Sequence, residues 1–191
     1  MNGLRPAVTA DEAERKFTHR RCERLRRLLG SRPSSRPPGP YLEVVWLPHY
    51  WIRYSIEDGA KTKRFEALVC GHGQGVAACD LSRQRWQTVV EDQWLPAALE
   101  ASEAETQARA GLSATMMRAP RWSSRSIVGE PQTALIGYPY WVYYYRRRGD
   151  KLDAKLLDAM TGRSAGPKAK AAFLAALAHR KRGRASTHQK T

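Results

Sequence analysis

Tyr140, Trp141 and Tyr143 stand in one run of aromatics, Tyr138 to Tyr145, that ends on Arg146, Arg147 and Arg148. Rings beside guanidiniums are the makings of a stacking platform for single-stranded nucleic acid, with bases on the rings and phosphates on the arginines. The same pattern also describes a strand buried on one face, with amphipathic tyrosines at its rim. The parallel run Tyr50-Trp51-Ile52-Arg53-Tyr54 has the same apolar face but only Arg53 beside it, which favours a core role common to both.

Cys70-Gly71-His72 with Cys79-Asp80 offers thiol, imidazole and carboxylate, but the spacing is not that of a zinc site, and His72 in a Gly-rich turn reads as exposed. A Cys–His nucleophile from these residues lacks a third residue to orient the base. Gly71 to Gly75 lacks the lysine and helix start of a phosphate-binding loop. Asp153 and Asp158, five apart, fall on opposite faces of a strand, so they do not form a paired-carboxylate acid/base site. With no coherent catalytic set among His49, Cys70, His72 and Asp80, the expectation is a non-enzymatic protein with no cofactor and no metal.

Several elements must position these residues. Thr9-Ala10-Asp11-Glu12 is a capping box, which predicts a helix to about Leu29, closed by Gly30. Arg20, Arg21, Arg24 and Arg27 crowd that helix. Ser31–Pro40 reads as a Pro-rich linker. Alternation predicts a strand over 46–56, a turn at 57–60, a return strand to Cys70 and a short strand over 76–79. Residues 81–94 carry no clear period. Pro96 predicts the start of a helix to Arg118, and 121–132 reads as loop. A second strand over 133–147, a turn at 148–150 and a return strand over 151–158 follow, with Leu152, Ala154 and Leu156 inward. A last helix runs from Pro167 to Arg182, docked by Phe173, Leu174 and Leu177, and a disordered tail ends the chain.

The two hairpins match. Tyr50-Trp51-Ile52-Arg53-Tyr54 aligns with Tyr140-Trp141-Val142-Tyr143-Tyr144, each after a proline (Pro48, Pro139), and Leu68-Val69-Cys70-Gly71 aligns with Leu156-Leu157-Asp158-Ala159. A unit used twice implies an α+β fold. Its two repeated helix-plus-antiparallel β-hairpin units form one sheet packed by helices, with basic terminal helices at either end. The units divide the chain into 1–40, 41–94, 95–166 and 167–191, with 41–166 as one domain.

The hairpin end Asp158-Ala159-Met160-Thr161-Gly162 resembles the closing turn of the PepSY family, in which a return strand ends on Asp-Ala-x-Thr-Gly. In such a turn the Asp side chain bonds backbone ahead of it and Gly takes positive φ. The first copy has Cys70, Gly73 and Gln74 in place of the Asp, Thr and Gly. The resemblance implies a non-catalytic, often regulatory module.

Charge points to partners. The chain carries 33 Lys/Arg against 18 Asp/Glu, a net +15. Residues 41–162 are nearly neutral, so the excess sits on the two ends, which include Arg180, Lys181 and Arg182. Basic ends on a neutral body suit an acidic protein partner or, alternatively, nucleic acid. Long aromatic edge strands would also suit a homodimer through a sheet edge. No run is apolar enough for a membrane span, and with no signal segment and an odd number of cysteines the expected location is cytoplasmic.

Overall fold

The computed structural model describes residues 1–18, 41–59, 61–73, 75–118, 125–146 and 152–188. In chain order it has β1 (Asn2–Leu4), α1 (Ala10–Thr18), β2 (Tyr41–Asp58), β3 (Lys61–Cys70), β4 (Val76–Cys79) and β5 (Trp86–Thr88). A single 3-10 turn at Glu91–Gln93, α2 (Ala101–Arg118), β6 (Arg125–Arg146), β7 (Leu152–Asp158) and α3 (Pro167–His188) complete it. The fold is α+β, with a mostly antiparallel seven-stranded sheet in the order β4-β3-β2-β6-β1-β5 and β7 paired with β6.

β2 and β6 form the spine, antiparallel from Tyr41↔Tyr144 to Asp58↔Arg125. The predicted loop at 121–132 is therefore strand from Arg125 onward. The far end of β2 gives it a partner, Ser55↔Val128 and Ile56↔Ile127, that local sequence could not announce. The register shifts between Arg53 and Ser55, and there Gly129 takes φ 70°, a left-handed conformation that a residue with a Cβ rarely adopts.

Strand alternation assigns each helix to a face. Even positions of β2 (Tyr50, Ile52, Tyr54, Ile56) pack with Ala67 and Val69 of β3 under Ala104, Ala108 and Leu112 of α2. On the same face, α1 sets Ala13 and Phe17 against Tyr143 and Leu157. On the opposite face, α3 sets Phe173 and Ala176 against Val45, Leu47, Val142, Ala154 and Leu156. Ala154 and Leu156 point inward as predicted. Leu174, predicted to dock, is instead 50% exposed, and Ala172 and Ala176 take the buried turn positions beside Phe173.

The helix boundaries also differ from expectation. Pro96 does not open α2, which begins at Ala101 behind Glu103, whose carboxylate accepts from the Glu100 amide at 3.1 Å. The Thr9–Glu12 capping box forms in both directions, at 3.1 and 3.3 Å. The stretch predicted for α1 beyond Thr18, and the linker after it, lie outside the described residues. α3 runs on to His188, through part of the predicted tail.

The segments leading into α1 and α2 are tied down alike. The Ala7 and Val8 amides donate to Ala159 O at 3.0 and 2.9 Å, and the Ala98 and Leu99 amides donate to Gly71 O, both at 3.0 Å. Gly71 N donates to Pro48 O at 2.8 Å, and Ala159 N to Pro139 O at 3.2 Å. The Trp141 indole donates to Val8 O at 2.9 Å, and the Tyr50 hydroxyl to Leu99 O at 2.6 Å. Parallel bridges join Gly3 to Gly137 and Trp46 to Trp94. The first of these needs glycine: a Cβ on Gly137 would lie 2.5 Å from the Trp94 ring and 2.8 Å from that of Trp46.

Candidate functional site

Alternation separates the predicted stacking residues. Trp141 and Tyr143 face α1, where Tyr143 is buried and its ring lies 5.1 Å from that of Phe17. Tyr140 faces the other side, beside His49 and Tyr138, with ring centroids 6.5 and 5.4 Å away. The three rings do not share a surface. Arg146 ends β6 but its side chain, with Arg147, Arg148, Arg20, Arg21, Arg24 and Arg27, lies outside the described residues. Arg180, Lys181 and Arg182 follow one another on α3. Arg180 donates to Asp92 O at 3.1 Å, and Lys181 and Arg182 are exposed.

The candidates for acid/base chemistry are spread out. His49 lies across from Cys70 in the β2–β3 register, and its Nδ1 is 3.2 Å from Leu47 O. Burial drives the imidazole down to about 4, so it is neutral at physiological pH with Nδ1–H donating to that carbonyl. Burial raises the Cys70 thiol. His72 sits edge-on to His179, 5.7 Å between centroids, and its Nε2 bonds Pro96 O. Burial lowers its pKa, helped by His179. Asp80 faces elsewhere, lining a groove of about 490 Å³ with Arg64, Glu66, Cys79 and Ser82. Asp80 Oδ1 accepts from the amide and hydroxyl of Ser82. Burial, with Glu66 and Asp80 nearby, pushes the Cys79 thiol up to about 12, which removes it as a nucleophile at neutral pH. Among the described residues, no three His, Cys, Asp or Glu side chains converge to hold a metal ion.

Asp158 organises the end of the second hairpin. Its Oδ1 accepts from the Met160 and Thr161 amides at 2.8 and 3.0 Å, and Gly162, with φ 68°, returns its N–H to Asp158 O at 2.8 Å. The Tyr138 hydroxyl donates to the same carboxylate, 3.1 Å from Oδ2. Burial first, then the Asp158 charge, raises the Tyr138 hydroxyl well above its ordinary value. The two side-chain bonds to the Met160 and Thr161 amides and the positive φ of Gly162 are what the Asp-to-Gly spacing predicts for a tight turn; the tyrosine bond is an addition.

A second set of aromatics escaped the sequence reading. Trp51 lies 5.5 Å from Trp86, and the Arg53 guanidinium sits 4.4 Å above the Trp51 ring. Trp51 Nε1 donates to Glu66 Oε2 at 3.0 Å, and the Leu81 amide donates to the same oxygen at 3.1 Å. Trp86 is 40% exposed. It comes from 81–94, where no period marked a strand, and it meets Trp51 only because β5 pairs with β1 at the sheet edge.

No known family model matches this chain, and no curated protein or solved structure matches it either. No helix among the described residues is long and apolar enough to cross a membrane.

Proposed function

We propose that this chain is a non-enzymatic interaction or regulatory protein built from two PepSY-like units, with basic ends that contact an acidic partner. The duplication is supported by the paired bonds: Val8 and Leu99 each precede a helix by two residues, each accepts from a strand aromatic, and each donates to the end of a hairpin. Those bonds set Tyr50 against Trp141, one residue off the alignment by aromatic type. They also imply that the helices are exchanged, α1 lying on the second hairpin and α2 on the first.

The observation that carries the functional reading is α3. Its 22 residues include Lys168, Lys170, Arg180, Lys181, Arg182 and Arg184 and no acid, and beyond Phe173 and Ala176 it presents Lys181 and Arg182 to solvent. Such charge gives salt-sensitive attraction to an acidic surface. Nucleic acid is the alternative, resting on the same two residues, since the rings of Tyr140, Trp141 and Tyr143 are divided between two faces. A homodimer through a sheet edge would use the side of β6 away from β2 ahead of Gly137, where no strand among the described residues pairs.

Fluorescence anisotropy with labelled poly-glutamate and with oligothymidylate, at low and physiological salt, tests the reading on the full chain. Poly-glutamate binding that weakens in Lys181→Glu/Arg182→Glu supports it. Preference for oligothymidylate at physiological salt replaces it with the nucleic-acid reading. Affinity indifferent to the substitution removes the role given to α3.

A further inference from the structure

Along its first half, α3 is apolar on two opposite sides. Phe173 and Ala176 point into the core. Half a turn away, Ala171, Leu174, Ala175 and Ala178 stand exposed in one row, Leu174 by 50%. Lys168 precedes the row and Lys181 and Arg182 follow it, all three exposed on that same side. A helix that is apolar all round is ordinarily covered all round, yet this row is open to solvent.

The same side of the sheet adds an exposed aromatic. Tyr41 is 60% exposed and stacks on Tyr144 at 6.0 Å, and Tyr144 lies 6.4 Å from Phe173. Charge is sided as well. On the opposite face, α1 and α2 carry Asp11, Glu12, Glu14, Glu103 and Glu105, whereas α3 has no acid. Asp153, Glu43 and Asp92 adjoin α3 but stand outside its outward row. Asp153 accepts from Lys170 at 2.5 Å, Glu43 accepts from the Tyr144 hydroxyl at 2.6 Å, and the Asp92 backbone oxygen accepts from Arg180 at 3.1 Å. An anionic plane is therefore drawn to the α3 side in preference to the side of α1 and α2.

We infer that α3 and Tyr41 form a docking surface for an anionic lipid bilayer, with Ala171, Leu174, Ala175 and Ala178 at the acyl boundary and Lys168 and Lys181 at the phosphates. The inference rests on the reading of α3 as the contact for an acidic partner, and it names that partner. The apolar middle selects the occupant. Lys168 and Lys181 stand about 20 Å apart along the helix axis, and the row between them offers no side-chain hydrogen-bond donor. A surface of carboxylates or of nucleic-acid phosphates alone leaves that stretch unmatched. A bilayer meets both parts. Lysine stems lie along the apolar boundary with their ammoniums among the headgroups, and the row between them is removed from water. The α3 of a second copy fits poorly: an antiparallel pair centred on Leu174 and Ala175 sets Lys168 against Lys181, and a parallel pair sets like on like. The exposed positions of α1 include Asp11, Glu12, Glu14, Arg15 and Lys16, which give Leu174 no apolar counterpart.

Co-sedimentation of the full chain with vesicles of phosphatidylcholine, alone or mixed with phosphatidylglycerol, tests this at physiological salt. The variants are Lys168→Gln/Lys181→Gln, Leu174→Gln, Tyr41→Ser and, as a control for charge elsewhere, Lys61→Gln/Lys63→Gln, each checked for fold by circular dichroism. Binding is expected only with phosphatidylglycerol present. It should weaken about ten-fold or more in Lys168→Gln/Lys181→Gln, about three-fold or more in Leu174→Gln and in Tyr41→Ser, and by less than about two-fold in the control. No binding, equal binding to phosphatidylcholine alone, or binding indifferent to Leu174→Gln would overturn the inference. Poly-glutamate binding that depends on Lys181 and Arg182, without vesicle binding, overturns it while leaving α3 as the contact for an acidic partner. Absence of both removes both. A dimer in light scattering that dissociates on Leu174→Gln gives the row to a second copy, and oligothymidylate binding that weakens on Leu174→Gln gives it to nucleic acid; either result also overturns the bilayer.

Discussion

The Trp141 indole N–H reaches the carbonyl oxygen of Val8 at 2.9 Å, across 133 residues of chain. Tyr50 makes the corresponding bond to Leu99 O at 2.6 Å. Each bond anchors the entry of a helix onto a strand far from it in the chain. Tyr50→Phe keeps the ring and leaves the Leu99 carbonyl without its donor; Trp141→Phe does the same to Val8 O while exchanging the indole for a smaller phenyl. Each is expected to destabilise the fold by about 0.5–1.5 kcal/mol in urea unfolding. A single cooperative transition should persist in both variants, since all seven strands share one sheet.

Asp158 accepts two turn amides and a tyrosine hydroxyl. Asp158→Ala orphans all three donors and is expected to cost about 2–4 kcal/mol, while Asp158→Asn, which keeps an acceptor and suits the turn, should cost less than half as much. Chemical denaturation of the two variants side by side measures the difference. Equal losses would mean that the charge, and not the acceptor, holds the turn.

His49 makes stability fall as pH falls. Its folded value of about 4 lies below the unfolded value near 6.5. Below pH 6.5 the unfolded chain takes up a proton that the folded chain refuses, so the loss grows toward pH 4 and reaches on the order of 3 kcal/mol. His49→Phe should flatten that part of the pH–stability curve, whatever it does to stability at neutral pH. Asp153 acts in a separate, more acid window. Its bond to Lys170 leads the causes that hold it down at about 2, so its contribution fades only as pH drops from the unfolded value of about 3.9.

Phe173 and Leu174 are neighbours on α3 with opposite surroundings, 1% and 50% exposed. Phe173→Ala should cost about 3–5 kcal/mol by opening a cavity over Val142 and Leu156. Leu174→Ala should change stability by less than about 0.5 kcal/mol. Thermal melts of the two variants check the assignment of faces on this helix.

Much of the secondary structure was legible because its signals are local. The Thr9–Glu12 box, the alternation from Trp46 to Ile56 and the Asp158–Gly162 turn each act within a few residues, and each forms as read. The misses share a cause. Residues 125–132 became strand because β2 runs past Tyr54 to pair with them. Residues 2–4 and 86–88 became strands because an edge of β6 stood open beside Gly137. Short segments with weak periodicity take their conformation from a partner, and a partner distant in sequence leaves no local trace.

The candidate sites divide along the same line. Sequence alone determined which residues could stack, pair or bind anions, and where the net positive charge lies. Tertiary structure decided which of them share a surface. Alternation on β6 sends Tyr140 to one face and Trp141 and Tyr143 to the other, each against a different helix, because successive side chains on a strand must point apart. Pairing of β5 with β1 carries Trp86 to Trp51, a contact between chain segments that only the assembled sheet creates.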